Sequence, residues 1–236
     1  MIIGINGYAG SGKDTVGRMI QFLNCKDPQG KVFEDIINNP VENDWWLEEQ
    51  SCWEIKKWAG KLKTIASLLT GISVEKFEDQ KFKNTDLPPE WNTWGYKPIN
   101  KGDNLFPHFT GEPYRKSMTV REFLQKLGTD GLRNGLHENT WVNALMCDYI
   151  GIYDLDTDRT TYPNWVITDT RFPNEAQAIK DAGGIIIRVD RPGVSATNDH
   201  PSETSLDDWK FDYKIMNGSD LTSLLFTVHT ILNKIK

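Results

Sequence analysis

Ile2-Ile3-Gly4-Ile5-Asn6-Gly7-Tyr8-Ala9-Gly10-Ser11-Gly12-Lys13-Asp14-Thr15, followed by Val16, Met19, Ile20 and Leu23 at helical spacing, is the stretch that decides the fold. A short apolar run, a glycine-rich turn and an amphipathic helix come in the order of a phosphate-binding loop. Glycines at 7, 10 and 12 let the backbone curl, so that successive N–H groups point into one hollow. That hollow lies at a helix N-terminus, where the dipole already favours an anion. Lys13 adds a mobile point charge for the outer phosphates. The strict pattern has Ser or Thr directly after the lysine, because that hydroxyl binds Mg²⁺. Here Asp14 stands in that place and Thr15 follows. Either Thr15 supplies the hydroxyl or Asp14 holds the metal, directly or through water. An ordinary glycine-rich turn would share the glycines, but the strand before it and the helix after it favour nucleotide binding.

The totals fit that reading. At 236 residues the chain is long enough for one large α/β domain, or one domain with an insertion. Charged residues make up 25% and hydrophobic ones 38%, which suits a soluble globular protein with polar loops. A net charge of −6 argues against a broad nucleic-acid surface, so phosphate binding must come from local arginines and lysines. Several of the nine tryptophans (Trp45, Trp46, Trp91, Trp94) lie in polar stretches and suggest a small aromatic-lined site or a satellite cluster. Packing without function is the default role for most of them. Cys25, Cys52 and Cys147 are odd in number and lack metal-like spacing, so no disulfide framework is expected. No stretch approaches a membrane span and the chain opens on a strand rather than a signal peptide, so a cytoplasmic protein with no membrane partner is expected.

Outward from the loop, residues 24–50 read as polar and irregular. Ser51 to Ala59 reads as a strand, and Gly60 to Leu69 as a helix closed by Gly71. Lys61 and Lys63 sit in the first turn of that helix, the wrong end for the dipole. They are either a solvated face or cations awaiting a phosphate, the latter favoured for Lys63. Residues 72–117 break the rhythm with Pro88-Pro89, Pro98, Pro107 and Pro113 among Trp91, Trp94, Tyr96, Phe106 and Phe109. Such a length is too great for a structureless loop in a compact core. It is expected to be an insertion, partly a lid over the site and partly an oligomer contact, which would make the protein a homodimer.

Thr119-x-x-Glu122 forms a capping box that opens a helix with Val120, Phe123, Leu124 and Leu127 on one face. Arg121, Gln125 and Gly128 share a row about 100° away, as a ligand-reading stripe or an exposed polar face would. Gly128 is costly inside a helix, so the helix is expected to end there, with Thr129-Asp130 turning into the next segment. A further helix runs from about Glu138 to Ile150, and Asp154 to Pro163 reads as a polar loop. Trp165 to Thr168 is a buried strand ending in Asp169-Thr170-Arg171. Pro173 starts a helix that stops at Gly183-Gly184. Ile185 to Val189 and Phe211 to Met216 are strands, and the last helix carries Leu221, Leu224, Leu225, Val228, Ile231, Leu232 and Ile235 on one face. Strands alternating with helices predict an α/β fold with a doubly wound parallel sheet of about five strands.

Ligands of such sheets collect at the carboxyl ends of the strands, where Asp169 and Arg171 stand. An acidic residue at that tip suits Mg²⁺ or its water shell, and Arg171 would offset charge on a phosphoryl group in flight. Alternatively, Asp169 caps the next helix and Arg171 pairs with Glu175. Arg191 at the end of the next strand either stacks on a nucleotide base or pairs with Asp190.

The run Gly10-Ser11-Gly12-Lys13-Asp14-Thr15 resembles the phosphate loop of phage deoxynucleoside monophosphate kinases, in which Asp also replaces the usual hydroxyl residue. Six further blocks resemble that family and come in its order. They are Ala59-Gly60-Lys61-Leu62-Lys63, Arg121-x-x-x-Gln125-x-Leu127-Gly128-Thr129-Asp130, Trp141-Val142, Asp169-Thr170-Arg171, Arg191-Pro192-Gly193 and His200-x-Ser202-Glu203. The resemblance, which does not reach residues 24–50 or 72–117, implies a P-loop nucleoside monophosphate kinase-like fold; the chain reads as one domain over 1–236 with the insertion at about 72–117. It implies Mg²⁺-assisted transfer from ATP to a deoxynucleoside 5′-monophosphate, in the host cell cytoplasm if the chain is phage-encoded. From their own chemistry in the loop and at the strand end, Lys13, Asp169 and Arg171 are expected to be catalytic. Gly10 to Thr15 and Arg191 would hold ATP, with Asp14 or Thr15 on the metal. By position, Lys63, Arg121, Gln125, Gly128, Thr129 and Trp141 would form the monophosphate site, to which Arg133 is added without a family match. Arg121 would grip the phosphate, Gln125 read the base, Trp141 wall the pocket and Arg133 add a second phosphate contact. Two other classes share part of this pattern: a kinase of another small phosphorylated acceptor, such as dephospho-coenzyme A or phosphomevalonate, and a regulatory nucleotide-binding module.

Overall fold

A computed structural model of the protein describes residues 1–27, 30–96, 113–195 and 204–235. Pro98, Phe106, Pro107 and Phe109 of the expected insertion lie outside the described residues, as do His200, Ser202 and Glu203. The chain divides into two compact units, Met1–Gly60 with Trp141–Lys236, and Lys61–Thr140.

The first unit is built on five parallel strands in the order β2-β7-β1-β8-β9. These are β1 (Ile2–Asn6), β2 (Trp53–Lys56), β7 (Asn164–Ile167), β8 (Ile185–Asp190) and β9 (Tyr213–Met216). Their side chains alternate between two cores, as the pleat requires. Ile3, Ile5, Val166, Ile187 and Val189 face one core, which Val16, Met19 and Ile20 of α1 (Lys13–Leu23) and Leu224, Val228 and Leu232 of the C-terminal helix Leu221–Ile235 complete. Ile2, Trp165, Ile167 and Ile186 face the other, against Ala176 and Ile179 of α7 (Pro173–Asp181) and Val142 and Leu145 of α6 (Thr140–Met146). Both faces of the sheet are thus covered, and β1 at its centre delivers the glycine loop to the carboxyl edge. This is the α/β architecture expected.

The stretch 24–50 differs from expectation: it carries α2 (Phe33–Asn38) and α3 (Pro40–Gln50). Each buries too few apolar residues for a clear helical period. Ile36, Trp46 and Leu47 form a satellite core, and Phe33 packs on Phe22 of α1 with ring centroids 5.5 Å apart. The loop expected at 154–163 holds a hairpin of β5 (Ile152–Asp154) and β6 (Arg159–Thr161), whose three-residue strands are exposed on both faces and so leave no burial pattern to read.

In the second unit, α4 (Gly60–Thr70) is followed by short 3₁₀ turns and a hairpin of β3 (Thr93–Tyr96) and β4 (Pro113–Lys116). Ala66, Phe77, Leu87, Met118, Val120 and Phe123 make its core, with Trp91 edge-on to Phe123 at 4.9 Å. The capping box is formed: the Glu122 N–H donates to Thr119 Oγ1 at 3.2 Å and the Thr119 N–H to Glu122 Oε2 at 2.9 Å. It opens α5 (Val120–Gln125), but the helix does not stop at Gly128. It passes into a π-helical run, Lys126–Asn134, with Gly128 buried inside it. A Cβ at 128 would stand 2.8 Å from Leu62 Cδ2, so this glycine serves a close approach to α4 rather than a helix end.

Candidate active site

The loop turns where its glycines allow. Gly10 and Gly12 take φ of 80° and 98°, the left-handed region that side chains disfavour. The Ser11 N–H donates to the Tyr8 carbonyl at 3.1 Å, and Asn217 Nδ2 holds the Ser11 carbonyl at 2.8 Å. Asn217 follows β9 and packs so closely that a Cβ at Gly12 would lie 2.5 Å from its Nδ2. Lys13 Nζ donates to the Tyr8 carbonyl at 2.6 Å. Ser11 Oγ is buried with no hydrogen-bond partner among the described residues. An orphaned hydroxyl in a loop of this shape, ahead of a helix whose first amides have no helical acceptor, is a donor set for an anion.

Asp14 opens α1 and is exposed, yet well tied. Thr168 Oγ1 donates to its Oδ1 at 2.8 Å, and Lys57 Nζ stands 3.6 Å from the same oxygen. Burial of part of the carboxylate works against its charge, but Lys57, the Thr168 hydroxyl, Lys13 and Arg18 outweigh it and hold the pKa below the ordinary value. An ionised carboxylate with the Thr15 hydroxyl beside it in sequence is a hard-oxygen set that suits Mg²⁺.

Asp169, at the tip of β7, accepts the Trp58 N–H on Oδ1 at 2.8 Å and the Ala59 N–H on Oδ2 at 3.1 Å. It therefore ties down the residues just ahead of α4 instead of capping the following helix. Burial pushes its carboxyl pKa up, against the pull of these two amides, Arg171 and Lys57. Glu175 receives the backbone N–H groups of Arg171 at 2.8 Å and Phe172 at 3.1 Å, and so starts α7 itself. Arg191 Nη1 reaches the Gly10 carbonyl at 3.5 Å, while Asp190 pairs with Arg188 at 2.8 Å, so the Arg191–Asp190 alternative gives way to contact with the loop.

The first unit thus gathers Lys13, Asp14, Thr15, Asp169, Arg171 and Arg191 at the carboxyl edge of its sheet, and Trp141 is buried in α6. Lys63, Arg121, Gln125, Gly128, Thr129 and Arg133 belong to the second unit. There Lys63 is buried and paired with Glu78. Arg121 and Gln125 are exposed along α5, and Arg121 Nε donates to Asn84 Oδ1 at 3.2 Å.

The sequence model of the deoxynucleotide monophosphate kinase family matches residues 101–228, more than half of the chain. The chain belongs to the deoxynucleotide monophosphate kinase family. Among its relatives, a protein of Acanthamoeba polyphaga mimivirus, provisionally named deoxynucleotide monophosphate kinase, is 35% identical over 44% of this chain and 55% of its own. The deoxynucleotide monophosphate kinase of Enterobacteria phage T4 is 31% identical over 48% of this chain and 45% of its own. The matched stretch thus spans about half the length of these two relatives. The deoxynucleoside-5′-monophosphate kinase of Escherichia phage T5 aligns over 93% of this chain and 90% of its own at 25% identity.

Sequence reasoning passed over Lys57, Arg188 and Asn217. Lys57 stood at a strand end, where the α/β rule could have flagged it. Asn217 had no signal, because it meets Ser11 only through the order of the strands.

Proposed function

We propose that the protein transfers the γ-phosphoryl group of ATP to a deoxynucleoside 5′-monophosphate, forming the diphosphate and ADP. The observation that carries this reading is the glycine loop with Lys13 and ionised Asp14 at the carboxyl edge of a parallel sheet, in a chain of this family. Such a transfer needs no covalent intermediate: two anions must be aligned, their charge offset and water excluded.

In this reading the loop amides from Gly10 to Thr15 cradle the donor phosphates, and Lys13 leaves the Tyr8 carbonyl for the outer ones. Asp14 or Thr15 would hold Mg²⁺, which would supply positive charge against the polyphosphate. Arg171 offsets charge on the phosphoryl group in flight. Asp169 complements Arg171 and keeps the start of α4 in place. Arg191, against the loop at Gly10, lies over the nucleotide base. On the acceptor side, Arg121 grips the monophosphate with Arg133 as a second contact, Gln125 reads the base edge, Trp141 walls the pocket, and Gly128 and Thr129 border it. Lys63 exchanges Glu78 for the acceptor phosphate. ATP and a deoxynucleotide are the partners, with no nucleic acid or membrane. The reaction runs in the cytoplasm, that of the host cell if the chain is phage-encoded. Within a single kinase domain, the segment at about 72–117 serves as lid and as the contact of a homodimer, which light scattering tests.

The deciding experiment is coupled ADP release with Mg-ATP and each deoxynucleoside monophosphate. Turnover with at least one supports the proposal. Binding of Mg-ATP without release for any of them removes it, and release with dephospho-coenzyme A or phosphomevalonate instead assigns another acceptor.

A further inference from the structure

Arg188 lies on β8 beside the loop-bearing strand and is only 7% exposed. A buried guanidinium needs its donors satisfied and its charge matched, and here the partners all lead to one place. Nη1 donates to Asn6 Oδ1, the last residue before the glycine loop, at 2.6 Å and to Asp207 Oδ1 at 3.3 Å. Nε donates to Asp190 Oδ1 at 2.8 Å. The guanidinium carbon sits 4.4 Å from the centroid of the Tyr8 ring and 5.7 Å from that of Phe211. The Tyr8 hydroxyl in turn lies 2.9 and 3.0 Å from the two oxygens of Asp207. Tyr8 is therefore held by its ring and by its hydroxyl, while its carbonyl accepts the Ser11 N–H and the Lys13 ammonium.

We propose that Arg188 is a positioning residue for the phosphate loop: with Asp207 it clamps Tyr8, and through the Tyr8 carbonyl it sets where Ser11 and Lys13 wait for the polyphosphate. The inference rests on the donor-site reading above and adds a residue that touches no substrate. Its consequence is selective. Loosening the clamp weakens donor binding and leaves the acceptor side untouched, because Tyr8, Arg188 and Asp207 are none of the residues assigned to the acceptor.

The test uses the full chain with Tyr8→Phe, Asp207→Ala, the double variant and Arg188→Lys, reading Mg-ATP binding by calorimetry, the KM for each substrate, and thermal midpoints. Tyr8→Phe keeps the ring over Arg188 and loses only the hydroxyl, so it folds normally and raises the Kd and KM for ATP by about 5-fold, the worth of one hydrogen bond. The KM for the acceptor stays as it was. Asp207→Ala removes the acceptor of the Tyr8 hydroxyl and of Arg188 Nη1 together, so it weakens ATP binding at least as much, and adding Tyr8→Phe to it costs nothing more. Arg188→Lys keeps the charge, loses the stacked fork and weakens ATP binding in the same way. Wild-type Mg-ATP affinity in Tyr8→Phe and Arg188→Lys overturns the clamp and leaves the donor site standing, as do equal losses for both substrates that follow the thermal midpoints. A wild-type protein that binds no Mg-ATP overturns both.

Discussion

Asp14 shows how a single charge is held by residues far off in the chain. In the first turn of α1 a carboxylate already meets the positive end of a helix. Lys57 and Thr168 then come to it from the ends of β2 and β7 and hold its pKa below the ordinary value of 3.8. An acid with a depressed folded pKa contributes stability above its unfolded value and loses that contribution as pH falls through the folded one. Asp14→Asn should therefore melt below wild type at pH 6, with the gap closing as pH is taken below the ordinary value. Calorimetric scans at stepped pH check this, and a gap that stays constant would show that the charge contributes nothing. Lys13 carries the second expectation at this scale. Lys13→Met should lower phosphoryl transfer by roughly 100-fold or more, as loss of one preorganised charge does, read as kcat in the ADP-release assay. Lys13 and Asp14 were legible because the loop motif is local. Asn217 and Arg188 were not, since nothing in the residues around them says what they will face, and Lys57 was marked only by its place at a strand end.

At the scale of elements, the second unit separates what local code can announce from what it cannot. The Thr119–Glu122 box is complete within four residues, and it forms. Gly128 looked like a terminator by the same kind of local reasoning, yet the helix continues through it, and Leu62 of α4 occupies the space a side chain would need there. Gly128→Ala should cost about 1 kcal/mol in urea unfolding, the low end for overpacking, because the added Cβ meets only the end of the Leu62 side chain, which can turn aside. Part of that loss should return when Leu62→Ala is added, whereas a backbone-only cost would not be relieved. Asp169 makes the matching case in the first unit, where it supplies both acceptors for the amides ahead of α4. Asp169→Ala should cost about 1–2 kcal/mol, as lost caps do, in the same unfolding measurement. The helices within 24–50 and the β5–β6 hairpin escaped notice for a different reason: elements of three to eleven residues with little buried surface carry almost no periodicity.

For the whole molecule, the reading requires that polyphosphate binding be felt as stability. A ligand that binds only the folded state adds about 2.7 kcal/mol at 100 times its Kd, which for a chain of this size raises the melting midpoint by roughly 5–10 °C. Mg-ATP should do so for wild type and much less for Lys13→Met, measured by thermal shift. The chain also divides at Gly60 and Trp141 rather than at the limits of the proline-rich stretch, 72–117. Composition marks where local structure becomes irregular, whereas a compact unit is defined by which surfaces bury one another.

The amino-acid sequence by itself determined the β1-loop-α1 unit, the parallel α/β class, the capping box and the acidic balance, because each rests on neighbours within a few residues. Only the tertiary structure decided the strand order β2-β7-β1-β8-β9. With that order came Thr168 and Lys57 on Asp14, Asp169 on the Trp58 and Ala59 amides, and Arg188 under Tyr8. These partners, apart from Lys57, are more than 100 residues apart, and no local signal encodes which strand will lie beside which. Their meeting depends on how two apolar faces of one sheet are buried at once.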